Sequence, residues 1–296
     1  MKFPPTRNLK AGFIPGRFLS VILFFLLIEI ALFSNPLSIQ AQAKTDQNSK
    51  ENLPQHLNVY FLKHLIKNTK DTILSPAHWD KDDWLSAAIA TASTLAFLPV
   101  DNSIHHWAED ESSSAGHSVA KVFSGAGSPA MLLGLISTGY IYGEIFKQTN
   151  TRETFLLAGE SLLIAEIFVQ VGKMGIGRAR PYTGEGAFSF HPFTTQGKWQ
   201  SFPSGHATAA WALASCLAAR TDSNLLRISI YSLATGISLS RIILDKHFAS
   251  DVLAGSILGF FIGKKIGQPL KKLKNKPELN FIAGRGIIAF SLNYSY

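Results

Sequence analysis

The sequence predicts an all-α protein: a membrane-embedded bundle of about six core helices followed by a short tail of β character. Three observations predict it. Apolar residues make up 46% of the 296-residue chain and charged residues 16%, where an average soluble domain carries about 25% charged residues. The middle of the chain shows apolar runs of helical length and no strand-like alternation. The end, Asn280 to Tyr296, is aromatic, β-branched and punctuated by glycine, the composition of one or two strands.

The elements follow in order. Met1 to Arg17 is basic, Phe18 to Phe33 is apolar apart from Glu29, and Ala41-Gln42-Ala43 has a small-x-small pattern. These are the parts of a secretory signal peptide spanning 1–43, with an uncleaved anchor helix as the competing reading. Residues 44–83 form a polar N-terminal segment that includes a short amphipathic helix over Leu57 to Lys67. The main domain, 84–267, holds helices over Trp84 to Val100, Pro129 to Phe146, Thr154 to Val171, Ala207 to Ala219, Leu225 to Leu244 and Phe248 to Ile266. Between Val100 and Gly127 the polar sequence reads as a loop with one short helix around His105 to Glu109. Residues 268–296 are a basic and aromatic tail.

The net charge of +8 is local, concentrated in the leader and in Lys264, Lys265, Lys271, Lys272, Lys274 and Lys276. That placement suits membrane topology and anionic lipid surfaces. No zinc-finger spacing or base-stacking pattern points to nucleic acid. The single cysteine, Cys216, excludes an intramolecular disulfide and reads as a small core residue. No feature sets an oligomeric state.

Three clusters carry chemistry. In the first, Lys173, Arg178 and Arg180 lie where a helix ends, with Gly175 and Gly177 releasing the backbone and Pro181 preventing its return. Such cations can converge on one anion, the arginines as planar forks and the lysine as a point charge, or can simply stop a helix at a membrane face. In the second, Ser201-Phe-Pro-Ser-Gly-His206 precedes a helix, so that Ser204 and the Gly205 N–H form an anion cradle beside His206. An ordinary capped helix would look the same. In the third, Arg241, His247 and Asp251 follow one another, and the last two are four apart on one helical face. A carboxylate behind one imidazole nitrogen leaves the other free to attack, although a surface His–Asp pair has this spacing too.

Read together, Lys-x6-Arg-Pro, Pro-Ser-Gly-His and Ser-Arg-x5-His-x3-Asp resemble the signature of the type 2 phosphatidic acid phosphatase and vanadium haloperoxidase superfamily. They do so at Lys173, Arg180, Pro181, Pro203, Ser204, Gly205, His206, Ser240, Arg241, His247 and Asp251. The resemblance covers about Trp84 to Gly267. It implies that Lys173, Arg180, Arg241, Ser204 and the Gly205 N–H bind phosphate. It also implies that His247 attacks phosphorus to form phosphohistidine, that Asp251 orients it, and that His206 protonates the leaving oxygen. No metal or other cofactor is expected, because no carboxylate cluster is there to hold one.

The expected activity is a metal-independent phosphomonoesterase or pyrophosphatase acting on a lipid phosphate, with membrane lipids as its surroundings. A soluble periplasmic acid phosphatase on small phosphate esters and a vanadium-dependent haloperoxidase are the alternatives. The loop Tyr182 to Trp199 is expected to carry the substrate contacts; its Tyr182, His191 and Trp199 read equally as entrance lining and as packing or surface residues. The lysines after the last helix put that end in the cytoplasm and His247 at the periplasmic face of the inner membrane, in the bacterial cell envelope. Trp84 to Val100 is then expected to lie along the membrane or pack without spanning. Glu160 and Glu166 speak for a soluble periplasmic bundle instead, since a carboxylate in lipid costs about 2.5–3.5 kcal/mol.

Overall fold

The protein is described by a computed structural model. It covers residues 53–111 and 113–268, and the backbone of two strands in the tail. The leader and its cleavage point lie outside the described residues. The chain forms two units. Of the first, Trp79–Ala90 is described, and there Trp84 meets Trp79 edge-on with centroids 4.9 Å apart. The second unit, Lys50–His78 with Thr91–Tyr296, contains every candidate site residue.

In chain order the helices are α1 (Val59–Leu74), α2 (Lys81–Phe97), α3 (Asp101–Glu111), α4 (Ser114–Ala126), α5 (Pro129–Ile145), α6 (Thr149–Ile176), α7 (Gly205–Ala219), α8 (Asn224–Ile243) and α9 (Ala249–Gly267). The tail pairs β1 (Glu278–Gly284) with β2 (Ile287–Asn293) antiparallel, Phe281 opposite Phe290. The region expected to be mostly loop, Val100 to Gly127, is instead two helices. Asp101 sits in the first turn of α3, and Ser113 caps α4 by accepting from Gly116 N. The short helix expected around His105 to Glu109 lies within α3; polar composition hid the rest, because α3 is polar on most sides and fixed at one end by a buried carboxylate.

The core joins Leu132 of α5, Leu157, Leu162 and Ile164 of α6, Ala212, Leu213 and Cys216 of α7, and Ile262 and Ile266 of α9. Cys216 is buried, as expected. The tightest contact is α7 on α9. Gly255, Gly259, Gly263 and Gly267 recur every four residues, so they line one stripe of α9. A Cβ at Gly259 would stand 2.2 Å from Thr208 O, and one at Gly263 2.1 Å from Ala212 O. The glycines let the two backbones touch, as small-residue stripes do in membrane helices. That contact carries the start of α7 to the start of α9, where Ser204 N donates to Asp251 O at 3.0 Å.

Two stretches, Lys81–Asp110 and Thr149–Ile176, are long and apolar enough to cross a membrane. The pair α4 and α5, bent by 50°, makes a third if it counts as one broken span. The helix expected to avoid spanning, Trp84 to Val100, lies within the first of these stretches. Glu160 of α6 is fully buried and not bare: His64 Nδ1 of α1 lies 2.8 Å from Oε2, and Asn68 Nδ2 donates to Oε1 at 2.6 Å. A carboxylate so paired escapes most of the desolvation penalty that an isolated one would suffer. The amphipathic helix α1 is thereby tied to α6.

Candidate active site

Four helix ends build the site. Lys173 lies in the last turn of α6, and Arg241 in the last turn of α8. Ser204, Gly205 and His206 open α7. His247 stands just before α9 and Asp251 in its first turn. The chain leaves α6 at Gly177, whose φ of 62° is left-handed and where a Cβ would meet His191 O at 1.8 Å. Gly175, expected to share that task, is inside the helix.

Beyond Gly177 the two arginines part company. Arg178, grouped with the anion-binding cations on sequence grounds, is fully buried and makes four hydrogen bonds. Its Nη1 donates to Asp251 Oδ1 at 2.6 Å and to Ser250 Oγ at 2.7 Å, its Nη2 to Asp101 Oδ2 at 2.7 Å, and its Nε to Ala187 O at 2.8 Å. Phe248 covers the guanidinium at 4.6 Å. Asp101 also accepts from Ser250 N at 2.9 Å. This network locks α3, α9 and the loop after α6 together, and it leaves Arg178 nothing to offer a ligand.

Arg180 is only half-buried, its Nε bonded to Gly197 O at 2.9 Å. Arg241 donates through Nη1 to Ser124 Oγ of α4, while its Nε is buried without a partner. Ser204 occupies the N-cap position of α7, but its hydroxyl caps nothing: Oγ is buried and without a partner. A Cβ at Gly205 would lie 3.1 Å from Lys173 Nζ, so the ammonium sits against the start of α7. Unpartnered buried donors beside cations and a helix N-terminus form a place for an anion.

Both histidines feel this field. Burial, then Arg241, Lys173 and Arg180, push the His206 imidazole down to about 4. His247 falls well below the usual range, by burial first and then by the same cations. The eight residues predicted from sequence thus converge, but one link differs. His247 Nδ1 is 3.9 Å from Asp251 Oδ2, too far for a hydrogen bond, and lies 2.7 Å from Ser201 O. Ser201 Oγ donates to Asp251 Oδ2 at 2.6 Å, and Phe248 N donates to the same oxygen at 2.9 Å. Asp251 therefore acts on His247 through Ser201. With Nδ1–H donated to a carbonyl, Nε2 is left with a free lone pair.

Sequence reasoning missed Ser201, Asp101 and Ser250 as partners. Only the adjacency of Ser201 to Pro-Ser-Gly-His could have flagged one of them. At the loop after Arg180, His191 stacks on Trp199 with centroids 4.0 Å apart. Glu185 accepts from Trp199 Nε1 at 2.9 Å and pairs with His191 Nε2 at 2.8 Å. Hydrogen bonds from Trp199, His191 and Ser189 hold the Glu185 carboxyl at about 2. Tyr182 lies under Lys246 Nζ, 5.0 Å from its ring centre.

A family model described as PAP2 superfamily matches residues 154–267. Among curated proteins, the chain is 32% identical over 101 residues to a lipid A 1-phosphatase of Rhizobium etli, covering 33% of this chain and 43% of that protein. It is 28% identical over 252 residues to a lipid A 1-phosphatase of Porphyromonas gingivalis, covering 81% and 49%. The chain thus spans less than half the length of the curated relatives it matches. Among solved structures, it is 22% identical to a transmembrane PAP2-type phosphatidylglycerolphosphate phosphatase of Bacillus subtilis, with a TM-score of 0.44 over 70% of this chain and 94% of that one. Aquifex aeolicus LpxE is 19% identical, with a TM-score of 0.46 over 56% and 94%.

Proposed function

We propose that this chain, whose residues 154–267 match the PAP2 superfamily model, is a PAP2-type enzyme that removes a phosphate from a membrane lipid without using a metal. The carrying observation is the pocket of unfilled donors, Ser204 Oγ and Arg241 Nε, facing the cations Lys173 and Arg180 and both histidines. Lipid A 1-phosphate is the first substrate to test, because curated relatives of the chain carry that activity in their names. Candidate spans in α2 to α6 favour a lipid over a soluble ester. The site is proposed to face the periplasm, with the basic end of α9 in the cytoplasm.

In the proposed reaction the phosphate dianion settles among Lys173, Arg180, Arg241, Ser204 and the Gly205 N–H. The lone pair on His247 Nε2 forms an N–P bond as the P–O bond to the lipid breaks. His206 gives its proton to the departing oxygen. Before phosphate enters, His206 is neutral at pH 7, because burial and then three nearby cations disfavour its charged form. The entering dianion offsets them and lets His206 take up the proton it must donate. Water activated by His206 then attacks phosphorus and frees His247 and inorganic phosphate. Fixed positive charge around the pentacoordinate state supplies most of the acceleration.

The test is phosphate release from lipid A, polyprenyl pyrophosphate and an aryl phosphate ester, with wild type and His247→Ala. Wild type is expected to prefer the lipids and His247→Ala to lose turnover while staying folded. Retained turnover in the variant ends the nucleophile assignment. EDTA is expected to leave phosphate release intact, and its abolition would end the metal-free mechanism.

A further inference from the structure

Helix α3 carries a second group of ligating side chains, next to the catalytic loop but outside the anion pocket. His105, His106 and Glu109 each present one ligand atom, all within 4.8 Å of one another. Glu109 is four residues after His105 and three after His106, so one turn of helix aims it between both rings. Its Oε2 lies 3.6 Å from His105 Nε2 and 3.5 Å from His106 Nδ1. Two ligands about 2 Å from one tetrahedral ion stand about 3.4 Å apart.

The other nitrogen of His105 is also placed. Nδ1 faces Asp245 Oδ1 at 3.3 Å, and that oxygen is buried without a hydrogen-bond partner. A carboxylate behind the ring nitrogen that does not bind metal is the usual support of a ligating histidine. Two carboxylates, Glu109 and Asp245, thus flank one imidazole, and a cation on Nε2 resolves their repulsion. Asp245 itself has a left-handed φ of 57° and stands two residues before His247. The Phe248 ring meets His105 edge-on with centroids 6.0 Å apart.

We infer that His105 Nε2, His106 Nδ1 and Glu109 Oε2 form a binding site for a borderline divalent transition metal of the Zn²⁺ type, with Asp245 holding His105. Two imidazoles and one carboxylate select that class over Mg²⁺ or Ca²⁺. Three protein ligands leave a fourth position to water. The ion lies outside the phosphate pocket, and the transfer chemistry does not pass through it. The inference is independent of the substrate proposed above.

The test uses the full chain in detergent, without a polyhistidine tag, stripped with EDTA and desalted. Titration with Co²⁺ should give a tetrahedral visible absorption band saturating at one equivalent, and Zn²⁺ should displace it and raise the melting temperature. His106→Ala and Glu109→Gln alter exposed side chains and should keep basal phosphate release, yet lose the band and the thermal shift. Asp245→Asn should weaken Zn²⁺ binding about 10-fold or more. A missing band in wild type, or equal one-equivalent binding in both exposed-site variants, overturns the site. Neither outcome bears on phosphate release, so failure here and failure of the proposed activity are read separately.

Discussion

Arg178 and Arg180 stand two residues apart in one signature-like run, and the fold gives them opposite tasks. Arg178 is enclosed, neutralised by Asp101 and Asp251, with every guanidinium nitrogen hydrogen-bonded. Arg180 shares a half-buried pocket with Lys173 and Arg241, where no carboxylate is paired to them and donors wait unused. The first region is a finished network that gives rigidity. The second keeps buried donors unpartnered, which the proposed function assigns to an anion. Burial pushes the Arg180 guanidinium toward its neutral form, and burial first and then the neighbouring cations push both histidines the same way.

The largest break in this comparison should come from Arg178→Ala. It strands two buried carboxylates, and breaking a buried pair costs about 3–5 kcal/mol. A thermal melt in detergent should show that loss, with Arg180→Ala melting near wild type. Equal melts would erase the distinction. Next, Arg241→Gln should cut kcat/KM by about 10²–10³, the scale for losing one donor to a transition-state charge. Its ligand-free melting temperature should hold or rise, because an incompletely bonded cation leaves the pocket. Concurrent loss of activity and stability would place Arg241 with the structural network.

Ser204→Ala sharpens the contrast further. Its hydroxyl bonds nothing in the empty site, so stability should not move. Competitive inhibition by vanadate should weaken about 10-fold, as for one charge-assisted hydrogen bond. An unchanged inhibition constant removes Ser204 from the anion cradle. The smallest effect is acid sensitivity. His206 is pulled from 6.5 down to about 4, so below pH 6.5 the unfolded chain binds a proton that the folded one refuses. Stability is then lost as pH falls, by about 1.4 kcal/mol at pH 5.5 from this group. His247 acts in the same direction. Inorganic phosphate should offset the loss, and a melt that is flat between pH 7 and pH 5.5 would contradict the field of cations.

Much of the bundle was legible in advance. The helices at Pro129, Thr154, Ala207, Leu225 and Phe248 appear within a few residues of their expected starts or ends, because apolar runs of that length have no other way to satisfy their backbone. Of the two helices between Val100 and Gly127, α3 was legible only as the short helix around His105 to Glu109 and α4 not at all, since their full extent depends on Asp101, Ser113 and tertiary contacts. Nor was the glycine stripe of α9 read as a packing surface, although its four-residue spacing stood in the sequence. At the site, residue types and order pointed to the members, while the Ser201 relay between Asp251 and His247 depended on a backbone carbonyl that no motif encodes.

By itself, then, the order of side chains determined which groups exist for chemistry and at which helix ends they fall, because helical periodicity and capping are local. Only the tertiary structure decided which cation is spent on scaffold and which stays available. The state of a buried charge depends on neighbours distant in the chain: Asp101 and Asp251 come to Arg178 from either side of it, and none of their separations in sequence predicts their meeting.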